Sequence, residues 1–145
     1  MVSEIQVGDF TFAGAAKVLA TSSWETLTDT AQITFPRKIK WEGRNLASGA
    51  DPLLKRLDPV TVSLGYGESE IIYQGYVRDI GADTPVTVSA EDAMYLLKQK
   101  EVSGSWKDAT LSEVLGAICP IPFKVLREIQ LGPVRLDKVN AAEAL

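Results

Sequence analysis

The stretch from Leu57 to Ile80, LDPVTVSLGYGESEIIYQGYVRDI, constrains the fold more than any other part of the chain. Val60, Val62 and Leu64 alternate with Thr61 and Ser63, the period-2 pattern of a strand with one buried face. Gly65-Tyr66-Gly67-Glu68-Ser69 then offers a short reversal, and Ile71, Ile72, Tyr73, Tyr76 and Val77 form a second run of residues suited to a pleated surface. The pattern predicts an antiparallel hairpin with a five-residue loop. Gly75, inside the second run, marks a bulge or a close approach of another backbone. The apolar parity changes near it, since Ile71, Tyr73 and Val77 share one phase and Ile72, Tyr76 and Ile80 the other. A bulge turning the strand reconciles the two phases, as barrels require at their corners.

Shorter alternating runs flank this hairpin. Ser3–Phe12 reads as a strand broken at Gly8-Asp9, Lys17–Ser23 as a second, and Thr30–Phe35 as a third that Pro36 ends. Residues 37–56 form a long connection punctuated by Gly43, Gly49 and Pro52, with Asp51 as N-cap of a short turn. Pro85–Ser89 is a further strand. The period then changes: Ala93, Met94 and Leu97 predict an amphipathic helix over Glu91–Lys100, with Ser89 as N-cap and Glu91 and Asp92 at its positive end. Val102–Trp106 reads as extended, and Thr110-Leu111-Ser112-Glu113 is a capping box opening a helix that stops before Pro120 and Pro122. Phe123–Val125 is assigned as an edge strand, and Asn140, with Glu143 three residues on, as the start of another helix. These elements predict a mainly β (α+β) fold with two or three short helices. One β domain spans residues 1–139, and 140–145 begin a helix leading into further chain.

A chain of 145 residues, 46% hydrophobic and 23% charged, is long enough to bury a core. Its net charge of −4 is the wrong sign for nucleic acid, whose binders present a basic stripe. The cluster Arg37, Lys38 and Lys40 is read as a solvated turn. No histidine is present and Cys119 is the single cysteine. A Ser-His-Asp or Cys-His nucleophile is therefore impossible, and the commonest metal ligand is missing. Cys119 precedes a proline at a helix end, where the dipole disfavours a thiolate. Glu91-Asp92 is the one tight acidic pair beside an apolar segment, and it reads as first-turn charge rather than a glycosidase pair. No phosphate loop, dinucleotide motif, export signal or membrane-length apolar run occurs. The residues thus predict no enzyme, no cofactor and no metal site. Aromatics such as Trp24, Trp41, Tyr66 and Trp106 leave a carbohydrate- or peptide-binding β-barrel module as the alternative.

Several segments, in order, resemble a known family. Thr30-Ala31-Gln32-Ile33-Thr34-Phe35-Pro36-Arg37 is similar to a "T-A-x-I-x-L-P-R" strand. Asp51-Pro52-Leu53-Leu54-Lys55-Arg56 through Gly65-Tyr66-Gly67 is similar to "D-P-L-x-K-R-G-D-x-V-x-I-x-L-G-Y", and Ile72–Val77 to "x-F-x-G-Y-V". Glu91–Lys98 resembles the helix start that follows. These are motifs of the phage tail baseplate hubs related to late control protein D, the hubs of contractile injection systems. The similarity covers Thr28–Lys98. Leu57 stands where the family pattern has glycine, and Ala90 where cysteine is common. The resemblance implies an antiparallel β-barrel of the tail-tube and baseplate-hub type. It also implies a trimer joining tail tube protein to spike protein, no cofactor, and a place in the virion tail or a phage-like particle assembled in the bacterial cytoplasm. Under that reading Trp41, Arg44 and Tyr66, on the long connection and the hairpin tip, are the expected subunit-contact residues.

Overall fold

The computed structural model of the chain describes residues 2–36, 54–66, 68–81, 83 and 85–145. They form two compact units, residues 1–92 and 93–145, each with its own apolar cluster, where the sequence predicts one domain through residue 139.

In the first unit the described residues hold seven strands: β1 (Val2–Val7), β2 (Phe10–Phe12), β3 (Lys17–Thr21), β4 (Thr30–Thr34), β5 (Pro59–Gly65), β6 (Glu70–Ile80) and β7 (Thr87–Glu91). All pair antiparallel in one sheet of order β2-β1-β5-β6-β7-β4-β3. The predicted first strand is thus a hairpin turning at Gly8, whose φ of +57° suits a residue without a side chain. Inward positions supply the core: Ile5, Val7, Ile33, Phe35, Val60, Val62, Val77 and Val88 are buried at alternating sites.

The sheet is strongly curled. Its two edge strands, β2 and β3, are joined by residues 13–16 alone. The Ala13 carbonyl accepts from Ser3 Oγ on β1 (3.1 Å), and the Ala16 N–H donates to the Thr34 carbonyl on β4 (2.8 Å). Three residues reach at most about 11 Å. Four strand steps in a flat sheet would separate β1 from β4 by about 19 Å. The link therefore draws the two edges toward each other, and the rings of Phe12 and Phe35 meet inside at 4.5 Å. No ladder joins β2 to β3 among the described residues, so the expected barrel is not closed by strand pairing.

The central hairpin is β5–β6, and its apolar phases are reconciled by two irregularities that flank Gly75. The register slips at Ile72 against β5 and at Arg78 against β7, whereas Gly75 itself pairs regularly with Val60. Skipping Arg78 returns Ile80 to the core side after Val77. Gly75 is required by close approach instead. A Cβ there would collide with the Glu91 carbonyl oxygen and lie 2.5 Å from the Tyr73 hydroxyl. Tyr73 thus lies over the glycine two residues along its own strand.

The second unit repeats that device. Strands β8 (Glu101–Thr110) and β9 (Gln130–Asn140) form a long irregular hairpin, and the Trp106 ring lies over Gly104 where a Cβ would be. Helices α1 (Met94–Lys98) and α2 (Leu111–Ile118) complete the unit. Leu97, Val102, Ala109, Val114, Ile118 and Ala141 form its buried cluster. The capping box is present as predicted: Thr110 Oγ1 accepts from the Glu113 N–H, and the Glu113 carboxylate accepts from the Thr110 N–H.

Other local expectations are corrected. Ser89 is not a cap; it lies in β7, whose ladders to β4 and β6 hold the chain extended through Glu91. The helix begins only at Met94, with no side-chain cap. Phe123–Val125 forms no strand. Asn140 caps as predicted, its side-chain oxygen accepting from Ala142 N–H (2.9 Å) and Glu143 N–H (3.0 Å), but what it caps is a turn.

Candidate interaction surfaces

The acidic pair singled out in the sequence is occupied by structural contacts. Glu91 ends β7 opposite both Tyr76 of β6 and Thr30 of β4, which buries it between two strands. Its Oε1 accepts from the Arg78 guanidinium at 2.7 Å. Asp92 Oδ2 accepts the Asp29 N–H at 2.8 Å, and the Asp92 N–H donates to the Asp29 carbonyl at 3.0 Å. This pair of bonds fixes the end of the β3–β4 connection. Beside them the buried Tyr73 hydroxyl has no hydrogen-bond partner among the described residues. Burial first, and then the carboxylates of Asp92, Glu91 and Asp29, push the phenol well above its usual range, with Arg78 opposing. It stays neutral at any physiological pH. Both carboxylates are thus tied into the frame of the sheet. No group of three or more His, Cys, Asp or Glu is arranged to hold a metal among the described residues.

The first unit exposes several large apolar and aromatic side chains. Tyr66, the predicted contact residue at the hairpin tip, is 86% exposed. Trp41 and Arg44 lie outside the described residues. The sequence pattern missed the β3–β4 connection, where Trp24 is 93% exposed and Leu27 nearly as open. Thr30, Glu91 and Tyr76 share one row of the sheet, and β6 runs on past β7 to Glu70. The Trp24 loop and the Tyr66 tip therefore project from the same end. Trp24, named from the sequence only among the aromatics of the alternative binding module, is flanked by Ser22, Ser23 and Glu25 in a stretch with no strand period.

The second unit also presents an apolar segment, between α2 and β9, where Phe123, Leu126 and Ile129 are exposed. Glu128 anchors this segment to the start of α2. Its two carboxylate oxygens accept from Ser112 N–H (3.0 Å) and Ser112 Oγ (2.5 Å). These bonds, the side-chain one foremost, hold the Glu128 carboxyl below its ordinary range. Cys119 is pushed up by burial, with Lys100 opposing, so it remains a thiol.

The first unit is thus a curled antiparallel sheet with exposed aromatics at one end and two carboxylates bound up in its frame. The fold is similar to the crystal structure of the prophage MuSo2 43 kDa tail protein from Shewanella oneidensis, with a TM-score of 0.66 at 17% identity over 99% of this chain. The chain spans 47% of that protein's length. No family model and no curated protein matches the sequence. Among the described residues no helix is long and apolar enough to cross a membrane.

Proposed function

We propose that this chain is a structural protein of a phage tail or phage-like contractile injection system, acting in its baseplate hub without catalytic turnover. The observation that carries this reading is the fold likeness to a prophage tail protein along nearly the whole chain. The ordered motifs from Thr28 to Lys98 support the narrower assignment to hubs related to late control protein D. So does Leu57, whose φ of +71° is the left-handed conformation that a glycine at that family position would serve.

In this reading residues 10–21 act as one bent strand, leaving the edge of β1 and joining that of β4, so that the curled sheet works as a tail-tube-type barrel. The exposed end carrying Tyr66 and Trp24 meets neighbouring subunits, the tail tube protein and the spike protein, in a particle assembled in the bacterial cytoplasm. The test is co-purification of the tagged full-length chain with tail tube and spike proteins of the same prophage. Retention of either partner, reduced by Tyr66→Ala or Trp24→Ala, is the expected result. Association with neither sinks the assignment.

A further inference from the structure

We propose that the apolar, basic segment between α2 and β9 of one copy docks on the aromatic, acidic end of the first unit of the next copy, joining subunits head to tail. The contact follows from the two surfaces themselves, whereas the number of copies it joins rests on the hub reading above.

The segment between α2 and β9 is held as a preformed surface. Cys119 N–H donates to the Leu115 carbonyl (2.8 Å) at its start, and the Ile129 carbonyl accepts from Leu111 N–H (2.9 Å) at its end. Pro120 and Pro122 stiffen the chain between them, and Glu128 binds Ser112. On this support Leu126 is 89% exposed, with Phe123 and Ile129 open on either side of it in sequence. Residues 114–127 contain no aspartate or glutamate, but they include Lys124 and Arg127, both exposed. The nearby carboxylates are occupied within the unit: Glu113 accepts from Thr110 N–H, Glu128 from Ser112, and Asp108 from the Gln130 amide. Lys124 and Arg127 form no ion pair among the described residues.

The exposed end of the first unit has the opposite composition. The stretches 18–36 and 57–77, which lead to and from it, contain no lysine or arginine. Trp24 and Tyr66 stand out there, and Glu25, Glu68 and Glu70, next to them in sequence, are exposed. The chain leaves β4 after Phe35 and enters β5 at Pro59, at the ends of those strands away from Trp24 and Tyr66. One surface is thus apolar with a basic rim, and the other apolar with an acidic rim. Such complementary charge sets the orientation and register of a contact, while the apolar centre supplies its buried area. Like charges keep either surface from pairing with its own copy, so the contact is heterologous. Each chain offers one surface of each kind, and heterologous contacts close into a ring where the rotation allows. The hub reading makes that ring a trimer.

Sedimentation velocity of the full chain, without other tail proteins, tests this. A trimer that dissociates on dilution, and more readily as salt rises from about 0.1 M to about 1 M, is expected. Lys124→Glu with Arg127→Glu should weaken association by about tenfold or more, and so should Glu25→Lys with Glu68→Lys and Glu70→Lys. All five side chains are exposed, so the melting curves should stay at the parent's. The chain carrying all five reversals should assemble like the parent, because opposite charges then face each other in exchanged places. A parent monomeric throughout, a dimer, a trimer indifferent to either set of reversals, or five reversals that fail to restore assembly would each overturn the proposal. Co-purification with tail tube and spike proteins is read separately. Their retention by a chain whose trimer ignores the reversals removes the docking and keeps the hub reading. Reversal-sensitive trimers that retain neither partner keep the docking and remove that reading.

Discussion

Leu57 gives the most direct test of how this backbone is specified. It occupies the third position of the turn Lys55-Arg56-Leu57-Asp58, closed by Asp58 N–H to the Lys55 carbonyl (3.2 Å). Its φ is +71°, the positive value that a type II turn requires at that position and that glycine supplies freely. The turn cannot relax away from it. Leu57 N–H donates to the Val77 carbonyl (2.8 Å), and Asp58 Oδ2 accepts from the Lys55 N–H (2.7 Å). An L-residue held in this region costs about 1–2 kcal/mol. Glycine at an ordinary position costs about 0.5–1 kcal/mol relative to alanine, through the freedom it gains when unfolded. At residue 57 the two effects oppose each other, and the strain is larger. Leu57→Gly should therefore be more stable than Leu57→Ala by roughly 0.5–1 kcal/mol, reversing the usual order. The leucine side chain is 46% exposed. Losing its buried half costs about 1 kcal/mol in either variant, from about 1.5–3 for a full leucine. Leu57→Ala should thus fall about 1 kcal/mol below the parent, and Leu57→Gly should lie between them. Urea titrations followed by circular dichroism resolve this, as do melts, where 1 kcal/mol is about 4 °C for a chain of this size. Alanine equal to or better than glycine refutes the strain argument.

Three further outcomes follow from the same structure. Gly75→Ala puts a methyl group into the Glu91 carbonyl and the Tyr73 hydroxyl, an overpacking that should destabilise by about 1–3 kcal/mol in chemical denaturation; a loss under a few tenths would mean the strands part more easily than their packing implies. Thr110→Ala removes the hydroxyl that accepts from Glu113 N–H and should cost about 1 kcal/mol, read as a lowered melting temperature, with no change counting against the cap. Glu128 has a folded-state pKa below its unfolded one, so it contributes stability above the unfolded carboxyl range, near about 4.3, and loses it as pH falls through the lower folded value. The protection factor of the Ser112 amide, its exchange rate corrected for the intrinsic rate at each pH, should accordingly fall in acid, and Glu128→Gln should flatten that dependence.

The strands were largely legible because their signals are local. Val60, Val62 and Leu64 alternate whatever surrounds them, and Thr110 with Glu113 carries its own hydrogen-bond logic. The failures arise where tertiary pairing overrides a local rule. Ser89 followed by Glu91 and Asp92 looks like a helix start, yet β7 is clasped between β4 and β6, and two ladders outweigh a cap. Gly75 was correctly singled out for one of its two readings: the backbone approach is real, while the slips fall on Ile72 and Arg78, neither of which looks unusual in sequence. Of the predicted contact residues, Tyr66 is exposed between β5 and β6, whereas Trp41 and Arg44 fall outside the described residues. Trp24 went unassigned because a loop residue has no period, and its openness follows from where β3 and β4 end.

The glycine pattern departs from the resembled family at one position and keeps its geometry. Where the family pattern has glycine before the aspartate and the β5 strand, this chain has leucine, and the backbone nonetheless adopts the glycine conformation. The surrounding bonds explain why. Gly8 N–H donates to the Pro59 carbonyl, and Asp58 packs where a Gly8 side chain would be, so the β1–β2 turn and the Lys55–Asp58 turn hold one another. Both ends of β5 are also held in register by β1: Val60 against Val7, and Gly65 against Val2. A single strained residue is tolerable because an array of ladder bonds fixes the strand that follows it. The strain at Leu57 is thus evidence that this turn is dictated by the sheet rather than by its own sequence, and a shared sheet can persist at an identity as low as 17%.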